Sequence, residues 1–284
     1  MDKYPITVII PSRNEELNIK ECLESVRFCD QIVVIDSGST DKTLDIVKEY
    51  DVEIYHFEYK GGWPKKRQWA MDNLDIRNPW TFLLDADERV TPQLREELKY
   101  IISYPAAHGY WISLRMVFLG KTLRYGGTQL KKMSFFKTGA GRFEKRLINQ
   151  DTTMADMEVH EHVILDGPAL ECKNHIVHHN VNTLFRYIQK HNEYSDWEAS
   201  VHFSKMQGGL PIKFWGTQAQ RRRWLRNTFL MLPGSPLLVF LLKFFLQCGF
   251  IDGTPGFIYC TFQAVQFFHI KAKIFEKKKV VYVK

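Results

Sequence analysis

The sequence predicts an α/β protein in which a mostly parallel β-sheet is covered by helices on both faces and is followed by a helical C-terminal region. Short β-branched segments alternate with helical segments over the first hundred residues, a pattern typical of parallel sheets. Polar loops follow the predicted strands at their carboxyl ends, where open α/β sheets bind ligands. Beyond residue 203 the sequence becomes basic and aromatic.

The first half contains four predicted strands, each followed by a predicted helix. The strands are the apolar runs Ile6–Ile10, Gln31–Ile35, Val52–Phe57 and Trp80–Leu84. The helices carry apolar residues at helical spacing and cover Leu17–Val26, Asp41–Tyr50, Lys65–Leu74 and Thr91–Ile102. In the last helix Thr91 is a typical N-cap, and Pro92 suits the first helical position. Parallel strands joined by helices bring their carboxyl ends to one edge of the sheet.

The second half has a different pattern. From Tyr110 to Ile176 short strands alternate with glycine-rich turns, and Phe185–Phe203 is again helical. We therefore predict a first domain of residues 1–202 and a basic, aromatic helical tail of residues 203–284.

Composition excludes several classes of protein. The apolar content of 45% is too high for a disordered chain, and 17 glycines with 11 prolines exclude a collagen-like one. The five cysteines form no Cys-x-x-Cys pair, and no secretory signal opens the sequence. These features favour buried or inert thiols in a reducing cytosol.

The segment Asp85-Ala86-Asp87-Glu88 follows the fourth predicted strand. A sharp turn there brings the two aspartates to one point, where their oxygens can hold a divalent cation and leave room for substrate phosphates. The alternative is that one aspartate caps the next helix. The position after a buried strand favours the cation site.

Two further polar loops follow strands and open helices: Pro11-Ser12-Arg13-Asn14-Glu15 and Asp36-Ser37-Gly38-Ser39-Thr40. Small residues let a nucleoside approach the backbone, and Asp36 can accept hydrogen bonds from ribose hydroxyls or a base N–H. Ser12 and Ser39 can also cap helices, which does not exclude ligand binding. Neither G-x-G-x-x-G nor G-x-x-x-x-G-K-[ST] occurs, so dinucleotide and P-loop sites lose support.

Together these segments resemble the family 2 glycosyltransferases with the GT-A fold. The resemblance is carried by Val8–Glu15, Val34–Thr43 and Phe82–Glu88, and it extends to about residue 200. Lys66–Met71 stands where the family has an Ala-Arg-Asn-x-Gly-like helix start, with Gln68 in place of the usual Asn, which leaves the role of this position open.

Within that family the chain is most similar to the lipopolysaccharide-core glucosyltransferases, through Val159-His160-Glu161, His178-His179 and Lys190–Ser195. The resemblance implies an inverting transfer of a hexose, glucose from UDP-glucose, to a lipid-linked or lipopolysaccharide-core glycan at the cytoplasmic face of the bacterial inner membrane. The implied donor-binding residues are Pro11, Ser12, Arg13, Glu15, Asp36, Ser37, Arg67, Gln68, Asp85 and Ala86.

The resemblance also implies a Mg²⁺ or Mn²⁺ cofactor held by Asp87 and Asp85. An inverting transfer needs a carboxylate that deprotonates the acceptor hydroxyl. The family pattern puts this base at Glu161, with Glu158 and Asp156 as nearby alternatives.

His178 or His179 could support the site near the diphosphate. A zinc site is disfavoured because no cysteine accompanies the histidines at ligand spacing.

Two other functions remain open. A transferase that glycosylates polyprenyl phosphate directly would need little help from a base on the acceptor side. A non-catalytic, membrane-bound sensor of sugar nucleotides would need no acids beyond those that bind the ligand, and the presence of every expected acid argues against it.

The tail carries the positive charge of the chain. The net charge is +7, but residues 203–284 contain 13 lysines and arginines against two acids, which leaves −4 for the first 202 residues. The run Pro236–Ile251 has 16 residues and contains Lys243, whereas a spanning helix needs about 20 apolar residues. We therefore predict helices that lie in the interface of an anionic membrane. The alternatives are core helices and, with less support, a nucleic-acid surface.

Overall fold

In a computed structural model of the chain, the described residues are 3–145, 162–179, 183–203, 213–216 and 218–280. They divide into two compact units. Of the described residues, the first unit contains 3–117, 129–143 and 162–179, and the second contains 118–128, 144–145, 183–203, 213–216 and 218–280. This division groups the helix that ends at residue 203 with the C-terminal helices and so differs from the domain limits expected from the sequence.

The first unit is built on one large sheet. Its strands are β1 (Tyr4–Ser12), β2 (Cys29–Asp36), β3 (Glu53–His56), β4 (Trp80–Leu83), β5 (Glu88–Val90), β6 (Gly109–Phe118), β8 (Leu130–Lys137) and β11 (Ala169–His179), with the short β7 (Lys121–Thr122) in the other unit. The order in space is β3-β2-β1-β4-β8-β6-β11-β5. A separate antiparallel pair joins β9 (Gly141–Phe143) to β10 (Val163–Leu165).

The predicted fold class is confirmed. The pairs β3–β2, β2–β1, β1–β4 and β6–β11 are parallel. The pairs β4–β8, β8–β6 and β11–β5 are antiparallel. The four strands predicted from apolar runs are therefore the parallel part of the sheet, and the glycine-rich second half supplies its mixed part.

Helices cover both faces of this sheet. They are α1 (Ile19–Ser25), α2 (Thr43–Val47), α3 (Lys66–Asn73) and α4 (Pro92–Ser103). Because side chains alternate along a strand, Ile6, Val8 and Ile10 of β1 pack with α1 and α4 in one core, whereas Ile9 packs with α3 in a second core. Burial on both faces explains why these strands read as continuous apolar runs.

The second unit is largely helical. Its helices are α5 (Leu184–Phe203), α6 (Gln218–Met231), α7 (Ser235–Leu241) and α8 (Gly253–Val280), with a π-helical turn at Leu242–Leu246 and a 3₁₀ turn at Gly249–Asp252 between the last two. Among the described residues no single helix is long and apolar enough to cross a membrane. The bent pair Ser235–Leu246 and Gly249–Lys279, with a bend of 73°, meets the length and composition requirement together.

The five cysteines all lie in described residues, and none forms a disulfide. Burial raises the pKa of the Cys172 thiol to about 12, and Cys22 and Cys29 are shifted in the same direction. These thiols are protonated at neutral pH and are therefore poor nucleophiles.

Candidate functional site

The polar loops predicted from the sequence meet at the carboxyl edge of the parallel strands. β1 and β2 run in register so that Ser12 lies opposite Asp36, and β4 pairs with the other side of β1. The Ser12 hydroxyl donates to Asp36 Oδ1 at 3.0 Å. Three segments that are distant in sequence thus end side by side.

Asp36 organises the loop that follows β2. Its Oδ2 accepts hydrogen bonds from the backbone N–H groups of Gly38, at 2.9 Å, and Ser39, at 2.8 Å. Gly38 adopts a φ of +80°, which a residue with a Cβ rarely does. Asp36 is 1% exposed, so in this structure its oxygens stabilise the loop through hydrogen bonds to the loop's own backbone.

Lys66, at the first position of α3, links the loop that follows β1 to the loop that follows β2. Its ammonium donates to the Ser12 carbonyl at 3.1 Å and to the Ser37 hydroxyl at 2.5 Å. The side chain is buried. The sequence analysis includes Lys66 in the segment Lys66–Met71 but assigns it no role.

The remaining residues of the first loop differ in exposure. Pro11 is buried and Arg13 is exposed. Glu15 accepts from the Asn18 side chain at 2.8 Å, and its own backbone N–H donates to Thr43 Oγ1 at 2.8 Å. Glu15 therefore holds the start of α1 against the start of α2.

Asp85 lies between two cations immediately after β4. Arg67, on α3, pairs with Asp85 Oδ1. Lys132, on β8, reaches Asp85 Oδ2 at 3.1 Å and both oxygens of Glu88, at 2.9 and 2.7 Å. Ala86, in the turn between these acids, is buried. The four charged side chains form one ion-pair cluster at the carboxyl edge.

Burial and charge act in opposite directions in this cluster. Burial alone raises the pKa of Asp85, but the charges of Arg67 and Lys132 outweigh it and hold that pKa well below its ordinary value. Burial lowers the pKa of Lys132, and the two carboxylates more than compensate and raise it. Asp85 and Lys132 are therefore both ionised at neutral pH.

Asp87 points to a different partner. Its Oδ2 lies 3.2 Å from His178 Nε2, and its carbonyl accepts from the His179 backbone N–H at 2.8 Å. The antiparallel pairing of β11 with β5, in which His178 faces Glu88, produces this contact. The His178 side chain and the His179 backbone therefore lie beside Asp87, and a role of either histidine near the diphosphate stays a prediction.

Two contacts of Gln68 lie within the first unit. Its Oε1 accepts from the Phe143 backbone N–H at 2.7 Å, and its Nε2 donates to Asp72 at 2.8 Å. The amide thus holds α3 against β9, while the guanidinium of Arg67 lies 5.9 Å from the centre of the Phe143 ring. Both contacts hold α3 against β9.

Glu161, Glu158 and Asp156, proposed from the sequence as the catalytic base or its alternatives, lie outside the described residues. Within the described residues, no three His, Cys, Asp or Glu side chains are arranged to hold a metal ion. The structure does bring one carboxylate, that of Asp87, next to one imidazole, that of His178.

A parallel sheet that gathers acidic and basic side chains at its carboxyl edge is the arrangement of α/β proteins that bind nucleotides. The model of the family named Glycosyl transferase family 2 matches residues 7–163, more than half of the chain. The chain belongs to this family and is a glycosyltransferase, which confirms the resemblance seen in its sequence.

The chain is also similar to individual proteins. Over 97% of its length the chain is 26% identical to the lipopolysaccharide core biosynthesis glycosyltransferase LpsC of Rhizobium meliloti (strain 1021), of which it covers 93%. It is 29% identical to an uncharacterized glycosyltransferase of Rickettsia bellii over 34% of this chain and 33% of that one. A crystal structure of residues 1–349 of S. aureus TarS with UDP-GlcNAc shares 13% identity, with 98% of this chain and 92% of that chain covered and a TM-score of 0.48.

Proposed function

We propose that the chain is an inverting glycosyltransferase that transfers glucose from UDP-glucose to a lipid-linked or lipopolysaccharide-core glycan. The observation that carries the proposal is the ion-pair cluster of Arg67, Lys132, Asp85 and Glu88 at the edge where the loops after β1 and β2 also end. Similarity to LpsC over nearly the whole chain supports a core-glycan acceptor.

The loops after β1 and β2 would receive the nucleoside. Their backbone is held in place by Asp36 and Lys66, so the site is formed before the donor arrives and little entropy is lost on binding. The guanidinium of Arg67, already oriented by Asp85, would face the diphosphate.

Asp87 would hold a divalent cation, Mg²⁺ or Mn²⁺. His178, whose Nε2 lies 3.2 Å from the Asp87 carboxylate, would support the position of that carboxylate. Such cations bind through one or two protein carboxylates and take further ligands from substrate phosphates. When bound, the cation would offset the charge that develops on the leaving UDP. Both Asp85 oxygens already contact cations of the chain, so a metal ion at Asp85 would compete with Arg67 and Lys132.

Glu161 is our proposed base for the acceptor hydroxyl. An inverting displacement needs one carboxylate on the face opposite the leaving group, and Glu161 matches the family pattern at residues 159–161. The proposal for this residue rests on the resemblance alone.

We place the enzyme at the cytoplasmic face of the bacterial inner membrane as a peripheral or monotopic protein. Large apolar side chains that are at least 40% exposed follow one another around the bend between α7 and α8: Leu237, Leu238, Leu241, Phe245, Leu246, Phe250, Ile251 and Phe257. An apolar surface of this kind marks an interaction site. The lysines Lys277–Lys279 at the end of α8 would be attracted to anionic lipid. A lipid-anchored acceptor would lie at the same membrane surface.

Substitution of the proposed cation ligand and the proposed base tests this function. We expect Asp87→Ala and Glu161→Gln each to lower glucose transfer from UDP-glucose to membrane extract by about 10²-fold or more, since each removes a group that acts on the reacting centre. The measurement is UDP release with and without Mn²⁺. Asp45→Ala is a matched control because this aspartate has a side chain 80% exposed on α2.

Wild-type protein that releases no UDP from any sugar nucleotide in the presence of membrane extract would contradict the proposed activity. Full transfer by both variants would contradict the assigned roles. An active Glu161→Gln beside an inactive Asp87→Ala would instead favour transfer to polyprenyl phosphate, whose oxygen needs no base.

A further inference from the structure

Lys66 is a buried lysine that joins two loops of the proposed donor site from a third element, α3. It is 1% exposed. Its ammonium donates to the carbonyl of Ser12, the last residue of β1, and to the hydroxyl of Ser37, the first residue after β2. An ammonium has three N–H donors, so it can serve acceptors on two neighbouring strands at once. Lys66 therefore holds the two strand ends in a fixed relation to each other and to α3.

The Ser12 carbonyl is the point where these contacts meet. Besides Lys66, it accepts a hydrogen bond from the Ser37 backbone N–H at 3.2 Å. The Ser12 hydroxyl donates to Asp36, and these two residues are 2% and 1% exposed. A buried polar group that loses its partner costs free energy, so contacts of this kind resist rearrangement. The loops after β1 and β2 thus behave as one preformed surface.

Arg67, the next residue of α3, reaches the other side of β1. It pairs with Asp85, which follows β4. In the sheet β2 and β4 flank β1, and neighbouring strands lie about 4.8 Å apart. Two consecutive residues at the start of α3 therefore contact segments on strands about 10 Å apart. This start fixes the spacing between the loops that would hold the nucleoside and the guanidinium that would face the diphosphate.

We propose that Lys66 is a positioning residue for the nucleoside of the sugar-nucleotide donor. The proposal deepens the proposed function and rests on it for the identity of that donor. Lys66 acts through Ser12 and Ser37 and does not contact the reacting atoms. Because the nucleoside is unchanged by the transfer, this positioning stabilises the bound donor and the transition state equally.

Binding of uridine, UMP and UDP to the protein tests the proposal independently of turnover. Lys66→Met keeps an unbranched side chain and removes the ammonium, so the loops lose one of their fixed contacts. We expect the Kd of all three ligands to rise by the same factor, about ten-fold. Arg67→Met should instead raise the Kd of UDP more than that of uridine, since Arg67 would face the diphosphate. Calorimetry with excess Mg²⁺ measures UDP and UMP, and displacement of UDP measures uridine.

Lys3 provides the matched control. Its ammonium donates to the Cys29 carbonyl at 3.1 Å, so it joins the same two strands at the opposite edge of the sheet, where they begin. Lys3→Met should leave all three Kd values unchanged. Lys66→Met should fold, because the Ser12 carbonyl retains the Ser37 N–H. If it does not, Lys66→Gln keeps an N–H donor on a shorter side chain and should raise the three Kd values about three-fold.

Kinetics supply a second readout. Loss of contacts that act equally on bound donor and transition state raises KM and leaves kcat unchanged. The KM for UDP-glucose should therefore rise about ten-fold in Lys66→Met, with kcat within about two-fold of the wild type. Partial unfolding would lower the apparent kcat and the number of binding sites instead, and would leave KM and Kd as they are.

Wild-type affinity of the Lys66 variants for uridine, UMP and UDP would overturn the role of Lys66. So would a loss confined to UDP, which would place Lys66 at the phosphates, or a loss confined to kcat. Failure of the proposed function is seen separately, as wild-type protein that neither binds UDP nor turns over a sugar nucleotide, and this result would overturn both proposals.

Discussion

At the scale of single residues, identical side chains have different physical states because their surroundings differ. Asp36 is buried and accepts hydrogen bonds from its own loop, Asp85 lies between Arg67 and Lys132, and Asp87 faces a histidine. The free energy of an ionised carboxylate depends on such partners far more than on residue type. Their different environments are what make separate roles possible.

His191, on α5, gives a pH-dependent prediction at this scale. Its ring stacks on Tyr187 with centroids 3.9 Å apart, and burial lowers its pKa to about 4. The unfolded chain takes up the proton near pH 6.5, so it binds more protons than the folded chain between pH 6.5 and 4. The free energy of unfolding should therefore fall as the pH decreases through this window, by on the order of 2 kcal/mol from this residue.

Urea unfolding at pH 4.5 to 7.5 measures this effect. Other groups also titrate in that range, so the comparison is with His191→Phe, which keeps a ring against Tyr187 but cannot take up a proton. The loss of stability toward low pH should be shallower in the variant. Parallel curves for the two proteins would show that His191 makes no such contribution.

At the scale of elements, a local signal in the sequence places the start of α4. α4 begins where the sequence predicts, because Thr91 Oγ1 accepts from the Leu94 backbone N–H at 3.2 Å and Pro92 needs no N–H partner. The same hydroxyl donates to the His175 carbonyl of β11 at 3.0 Å. One side chain therefore both caps the helix and ties it to the sheet.

Removal of that hydroxyl should destabilise the protein. Thr91→Ala is expected to lower the free energy of unfolding by about 1–2 kcal/mol, and Thr91→Ser should recover most of it. Ser103→Ala is the control, since that hydroxyl is exposed at the other end of α4. Urea denaturation at constant m-value reports the difference. A Thr91→Ala variant as stable as the control would contradict the capping role.

At the scale of the whole molecule, charge and apolar exposure are unevenly distributed. The last 82 residues carry a net charge of +11, and the bend between α7 and α8 exposes a run of leucine and phenylalanine side chains. Exposed apolar surface in such quantity is unfavourable in water. We expect it to be covered by lipid when the enzyme works.

Two side chains at the bend test this expectation. Leu246 and Phe250 are 79% and 50% exposed, and each contributes about 1.5–3 kcal/mol when fully transferred from water. The double variant Leu246→Ser, Phe250→Ser should bind vesicles containing phosphatidylglycerol at least about ten-fold more weakly in a flotation assay.

Leu170→Ser serves as the control for vesicle binding, because Leu170 is comparably exposed, at 47%, but lies on β11 of the first unit. High salt should also weaken vesicle binding by the wild type, since the lysines contribute to binding through their charge. Vesicle binding that survives both the double substitution and high salt would rule out this surface as the contact.

The sequence by itself determined the parallel strands, the start of α4 and the acidic segment, because these depend on apolar runs and a capping residue within a few positions of one another. Only the tertiary structure decided which charges meet: Lys132 comes to Asp85 across 47 positions, and His178 reaches Asp87 from β11. Those contacts depend on strand order and on the register of β8 and β11. A shift of one residue would turn each side chain to the other face of the sheet, and no local pattern encodes that choice.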